Sequence, residues 1–456
     1  MRQSRSNWFD WHFLAYNAGL IAGFPAVLAY AAWRITARSK ARGGWAERLG
    51  ILPRIPDGRP RVWVHAVSAG EIAAAVPVCS ALLAGMPDAQ LIVTTTTPAG
   101  KTVALNRLRQ AAAIFYFPVD FWPCVARAMR TVRPSLCVLL EKELWPNFLT
   151  AARLAGAPVA VVNARISDRT FRRARVLGGF FTWVLRQVGL FAAQSEADAR
   201  RAIALGLDPS RVAICGNVKF DQSLKPLSAE ERRDLRAALG LPPDAPLVVA
   251  GSTHPGEEEA LLQALRIVKE GIPDARLLLA PRHVERAAQV EQVISQHGFR
   301  CLRRTKATGE PTDPDTVIML DTMGELGRFY GLGEVGFVGG TLVPVGGHDL
   351  LQPLAHGLSV VFGNHVHKTR ETAQAVLEAG VGFQVSSAEQ LAERIGALLA
   401  DERNRAAIAK AASAFLAKHR GAAERCAEAA LSLLNNPIGS RGVPRPNGVK
   451  SDAPTP

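Results

Sequence analysis

The sequence predicts an α/β protein: two doubly wound, Rossmann-like domains around a cleft, preceded by an N-terminal membrane-anchor helix. Three observations carry this. From residue 61 short apolar runs alternate with helical stretches, the pattern of βαβ units and parallel sheets. The rhythm breaks between residues 222 and 246 into a charged, Pro-containing passage (Lys225-Pro226, Glu230 to Arg236, Leu241-Pro242-Pro243) and then resumes. Finally, Trp11 to Trp33 contains no Asp, Glu, Lys or Arg. At 456 residues the chain is too long for one ordinary core, so two domains with appendages are expected.

The elements follow in order. The apolar N-terminal run is long enough to cross a hydrocarbon core of roughly 30 Å as a helix, although Asn17 and Pro25 leave a half-inserted helix open. Arg34, Arg38, Lys40, Arg42, Arg48 and Arg54 follow against Glu47 alone, which places the rest of the chain on the cytoplasmic side of the membrane. Strands are expected at 61–66, 91–94, 113–117, 136–140, 159–163, 190–194 and 212–216, with helices between them such as 71–83. The second series is expected at 247–251, 277–280, 317–320, 335–338, 359–362 and 382–385. Residues 402–434 read as alanine-rich C-terminal helices, and the Pro-, Gly- and Ser-rich tail as disordered. The boundaries are an anchor over 1–40, a first domain over 41–221, a second over 222–434, and a tail over 435–456.

Composition narrows the function classes. A net charge of +14 and a sequence pI near 10.0 suit an anionic partner: nucleic acid, an anionic membrane or a phosphorylated substrate. No zinc finger, basic zipper or RNA-recognition motif is present, which argues against nucleic acid. Six scattered cysteines without a CxxC pair read as reduced, buried thiols. Gly331-Leu332-Gly333-Glu334-Val335-Gly336 matches a dinucleotide fingerprint, but it precedes a strand instead of following one. His365-Val366-His367 has no third ligand nearby, so no metal is expected.

Chemistry is expected where strands end. The stretch from Gly339 to Pro353 follows an apolar strand and precedes a helix start; glycines with Thr341, His348, Asp349 and Gln352 suit a phosphate held by backbone N–H groups. In His65 to Glu71, Ser68 and Glu71 suit a helix-capping box, and equally a carboxylate base at a strand end. Glu141-Lys142-Glu143 directly follows a buried strand, as does Asn217-Val218-Lys219. Lys219 is an ordinary surface lysine or a partner for developing negative charge. Glu257, Glu258 and Glu259 read as helix-dipole complements. Arg282 suits a phosphate or base edge, and Asp321 suits ribose hydroxyls.

Taken together, HAVSAGE, TTTTPAG, EKELWPN, NARIS, AAQSEAD, GNVKFD, STHPGEEE, PRH, DTMGEL, FVGGTLVPVGGHD and GNHVHK resemble, in this order, the 3-deoxy-D-manno-octulosonic acid (Kdo) transferases of lipopolysaccharide assembly. The resemblance spans about residues 40 to 430. It implies a GT-B fold, CMP-Kdo as donor, a lipid A precursor (lipid IVA) as phosphorylated glycolipid acceptor, and inverting transfer without metal or other cofactor. It also implies an inner-membrane location, with a single N-terminal anchor and cytoplasmic catalytic domains. By the same resemblance Glu71 is the general base, and Glu141 and Lys219 stabilise the transition state. Pro281, Arg282, Met323, Gly324, Glu325, Asp349, Leu350, Leu351 and Gln352 bind CMP. The family pattern GGHNxxE stands here as GGHDLLQ, with Asp349 for Asn and Gln352 for Glu. Two other classes fit the residues: a GT-B transferase using a UDP-sugar, and a catalytically silent CMP or lipid sensor.

Overall fold

A computed structural model describes residues 11–23, 44–56, 58–221 and 226–435. The basic residues between 34 and 42, residues 222–225 and the tail from 436 lie outside the described residues. The chain divides into two compact units, Met1–Gln222 with His419–Pro456, and Ser223–Lys418.

The first unit is built on seven parallel strands: β1 (Arg61–His65), β2 (Gln90–Thr95), β3 (Ala113–Tyr116), β4 (Leu136–Leu140), β5 (Val159–Ala164), β6 (Leu190–Ala193) and β7 (Val212–Ile214). Their order is β3-β2-β1-β4-β5-β6-β7, so β1 and β4 flank the point where the winding reverses. Near-continuous apolar runs form the central strands because helices cover both faces, and apolar residues pack into one cluster on each side.

The second unit repeats the plan with β8 (Leu247–Thr253), β9 (Arg276–Pro281), β10 (Arg300–Arg303), β11 (Thr316–Met319), β12 (Val335–Val338), β13 (Ser359–Phe362) and β14 (Gly382–Gln384). The order is β10-β11-β9-β8-β12-β13-β14, and here β8 and β12 flank the reversal. The Gly331 to Gly336 stretch leads into β12, as its position before a strand implied.

Two expectations need correcting, the placement of the last helix and the strand count of the second sheet. The C-terminal helices are Glu402–His419 and Ala422–Asn435, separated at Gly421, whose φ of 81° is left-handed. The second of them belongs to the first unit: Ala422, Ala423, Cys426, Ala427 and Ala430 are buried in its core, packed with the helix Ala69–Gly85. Small alanine faces permit that close approach, and Asp221 caps the incoming helix by accepting from the Gly421 and Ala423 N–H groups at 2.7 Å each. β10 was not foreseen, because Arg-Cys-Leu-Arg at a sheet edge carries no apolar run.

Of the expected anchor run from Trp11 to Trp33, residues 24–33 lie outside the described residues. Residues 11–23 are helical, and among the described residues no helix is long and apolar enough to cross a membrane. The helix lays one face on the first unit, with Phe13 buried and His12, Tyr16 and Asn17 turned the same way. Asn17 and Asn147 exchange amide hydrogen bonds of 2.9 and 3.0 Å. Its other face carries Trp11, Leu14 and Ile21, which are 66%, 55% and 61% exposed.

Candidate functional site

In the first unit the side chains singled out by sequence meet at the carboxyl ends of β1 and β4, the reversal point of the sheet. β1 ends at His65, which is fully buried, stacked on Phe117 with ring centroids 3.8 Å apart, and pushed down by burial to a pKa of about 3. The turn after it is clamped. Thr95, Thr96 and Thr97 all donate their hydroxyls to the Val67 carbonyl, at 2.8, 3.2 and 3.3 Å. That gives the run of threonines at the end of β2 a physical purpose.

Glu71 sits in the first turn of the helix Ala69–Gly85. Its two carboxylate oxygens are held separately, one by the Val67 N–H at 2.8 Å and one by the Ser68 hydroxyl at 3.2 Å. Ser68 in turn accepts from the Glu71 N–H, so the cap and the positioned carboxylate are the same arrangement. Capping fixes the carboxylate while leaving it partly accessible.

Glu141, one residue beyond β4, has a left-handed φ of 60°, a conformation that costs a non-glycine residue about 1–2 kcal/mol. Lys219, on a single helical turn after β7, places its Nζ 3.2 Å from the Glu141 Oε1. That turn is itself seated by Asn163, whose Oδ1 accepts from the Val218 N–H at 3.1 Å and whose φ is also left-handed at 52°. Burial pushes the Glu71 carboxyl above its ordinary value, the Glu141 charge adds to the push, and Lys219 opposes it. Glu143, passed over as a separate candidate in the sequence, belongs to the same group. Burial, reinforced by the Glu71 charge, raises it to about 7. Three carboxylates and one lysine thus form a cluster in which the Glu71 and Glu143 carboxyls are held above their ordinary values, as suits a group that accepts a proton.

In the second unit the expected binding residues follow β9, β11 and β12, strands that stand around β8 in the sheet. Pro281 closes β9, and Arg282 beyond it is exposed. Met323 is exposed and Gly324 has a φ of 89°. Glu325 accepts the Thr322 hydroxyl. Asp349 accepts from the Leu351 N–H at 3.0 Å and from the Gln352 amide at 3.4 Å. The side chains of Leu350 and Leu351 are buried in the core, so these residues offer a ligand only main chain.

The glycine-rich loop differs from its sequence reading. Its N–H groups face an internal anion: Glu257, with no exposed surface, accepts from Gly340, Thr341 and Leu342 at 2.7, 2.9 and 2.9 Å, and from His254 at 3.0 Å. The helix after the loop, Leu351–Leu354, is a single turn. The three consecutive acids have three separate tasks. Glu257 fills the loop, Glu258 accepts from Thr253 at 2.9 Å and pairs with Arg286 at 3.1 Å, and Glu259 caps Gly256 at 2.8 Å. The polar groups left beside the loop are His254 and His348, whose Nε2 atoms lie 2.8 Å apart. Burial lowers the pKa of both, that of His348 to about 4, and Arg282 and Lys368 add to the effect. Among the described residues no group of three or more His, Cys, Asp or Glu is arranged to hold a metal ion.

Comparison with known proteins places the fold and the family. Two solved structures share the fold over most of the chain. One is a glycosyltransferase from Rickettsia africae (TM-score 0.58, 13% identity, 83% of this chain and 100% of that one). The other is UDP-GlcNAc 2-epimerase from Neisseria meningitidis (TM-score 0.56, 10% identity, 82% and 100%). The pair of parallel seven-stranded α/β units is of the GT-B type. Residues 43–222 match the family described as 3-deoxy-D-manno-octulosonic-acid transferase (kdotransferase). The 3-deoxy-D-manno-octulosonic acid transferase of Haemophilus influenzae is 32% identical over 91% of this chain and 97% of its own length. That of Bordetella pertussis is 31% identical over 87% and 94%. Likeness of this extent, over most of both chains, means that the chain belongs to the 3-deoxy-D-manno-octulosonic acid transferase family.

Proposed function

We propose that the protein transfers Kdo from CMP-Kdo to a phosphorylated glycolipid, a lipid A precursor, with inversion, and that Glu71 is the general base. The observation that carries the reading is the Glu71, Glu141 and Lys219 cluster at the reversal point of the first sheet. An acceptor hydroxyl seated against Glu71 loses its proton to the carboxylate as its oxygen attacks the anomeric carbon of Kdo. The bond to the CMP phosphate breaks on the opposite face, so a single displacement inverts the centre. Lys219 and Glu141 set the charge around the reacting hydroxyl. In the second unit Arg282 suits the phosphate, and the segments 323–325 and 349–352 suit the nucleoside.

The acceptor is an anion at a membrane surface. Arg169, Arg172, Arg173 and Arg175 are exposed on the helix Asp168–Leu177, beside the exposed Val176 and Leu177. Together with the apolar outer face of residues 11–23, they favour contact with an anionic bilayer and its phosphorylated lipid. The test incubates the protein with CMP-Kdo and lipid A precursor and reads product mass and anomeric configuration. A gain of one or more Kdo units of inverted configuration supports the proposal. Displacement of bound donor by UDP but not CMP, or binding of both substrates without any product, sinks it.

A further inference from the structure

The helix of residues 11–23 is fastened to one small region of the first unit. Phe13 meets Trp122 edge-on at 5.2 Å, and His12 stacks on Trp183 at 5.8 Å. The same helix reaches Asp120, a carboxylate only 6% exposed. It accepts from the Tyr16 hydroxyl at 2.9 Å and from the Asn147 and Phe148 N–H groups at 3.1 and 2.9 Å. Asn147 also donates its amide to the Asp120 carbonyl at 2.8 Å and exchanges two hydrogen bonds with Asn17. Asn147 and Phe148 open the helix Pro146–Leu154, so Asp120 serves as a cap supplied from another loop. The residues directly before that helix are Glu141 to Trp145, the loop that carries Glu141 and Glu143.

We infer that Tyr16 and Asn17 are positioning residues of the site. By completing the hydrogen bonds of Asp120 and Asn147, they fix the helix start from which the Glu141–Trp145 loop is hung. This goes beyond the usual role of an N-terminal apolar segment, which is attachment alone. The polar face of the helix supports the inference: a segment serving only as an anchor has no use for a tyrosine hydroxyl on a buried carboxylate or for an amide pair with a helix N-terminus. Glu141 is held in a left-handed conformation, so loss of support at the end of its loop lets it relax out of place.

The inference rests on the transferase reading for its kinetic readout only, and a second readout is independent of it. Tyr16→Phe and Asn17→Ala are made in the full chain. Kdo transfer is measured as kcat and KM, CMP affinity by titration, and amide hydrogen exchange by peptides covering residues 141–148. The expected result is a kcat lower by about tenfold, the scale set by small misplacements of reacting groups, with CMP affinity unchanged. Exchange over 141–148 should be faster while the strands keep their protection. Asn147→Ala combined with Asn17→Ala should cost no more than Asn147→Ala alone. Unchanged exchange over 141–148 together with unchanged kcat in both variants overturns the inference. So does loss of protection spread evenly over the unit, which marks a purely structural role. If the unaltered protein transfers no Kdo, the transferase reading fails, and exchange over 141–148 still decides this one.

Discussion

Replacing Glu257 by Gln tests whether the glycine-rich loop is shaped by an internal carboxylate. The carboxylate accepts four backbone N–H donors, two on each oxygen, and every contact requires an acceptor. Glutamine keeps one oxygen and presents an NH2 group to the other two donors. Two charge-assisted bonds are lost, each worth about 1.5–3 kcal/mol, and two backbone N–H groups face a donor in a closed environment. The expected loss is therefore about 3–6 kcal/mol. For a unit of this size that corresponds to roughly 6–24 °C in the unfolding temperature of the second unit. Calorimetry or urea unfolding of the full chain reads it, together with CMP titration, because the same loop leads to His348 and Asp349. A variant within about 0.5 kcal/mol of the original would refute the reasoning, because it would mean that the four N–H groups find other partners at no cost.

Other outcomes follow from the first cluster and from the exchanged pair. Glu141→Gln removes the charge that helps raise Glu71 and leaves Lys219 to favour its anion, so the acid limb of kcat/KM should move to lower pH; a move upward contradicts the cluster. Glu143 is raised from 4.5 to about 7, so between these values the folded state holds a proton that the unfolded chain has released. Stability should fall as pH rises through that window, and Glu143→Gln should flatten the fall in unfolding midpoints taken from pH 4.5 to 7. Gln352→Glu sets a second carboxylate against Asp349 and should weaken CMP binding roughly tenfold, about 1.4 kcal/mol. Adding Asp349→Asn restores one amide and one acid, and CMP affinity should recover; equal losses in the single and double variants would show that the pair does not act together.

Why the sequence disclosed some features and concealed others follows from how far apart the cooperating residues lie. The central strands were legible because burial on both faces demands unbroken apolar runs, as in Leu136–Leu140. Motif residues at strand ends were legible for the same reason, since the strands locate their own carboxyl termini. β10 was hidden because an exposed edge needs no such run. The task of Glu257 was hidden because three of its four partners lie 83 to 85 residues away, and nothing local separates it from Glu258 and Glu259. In the helix of residues 11–23 apolar content records what the segment avoids, and it did not disclose the three polar side chains that fasten one face to the first unit. Asn17, which only weakened the membrane reading, is one of the residues that binds the helix to the protein.

The central claim is that Glu71 accepts the proton of the acceptor hydroxyl. The most direct measurement compares Kdo transfer to a lipid A precursor by the unaltered chain and by Glu71→Gln, with CMP affinity and unfolding temperature measured beside it. Loss of a positioned base predicts a kcat lower by about 10²–10⁴-fold, with the acid limb of the pH profile gone and CMP binding intact. A Glu71→Gln variant that keeps its turnover within a few-fold, at any pH, would contradict the account.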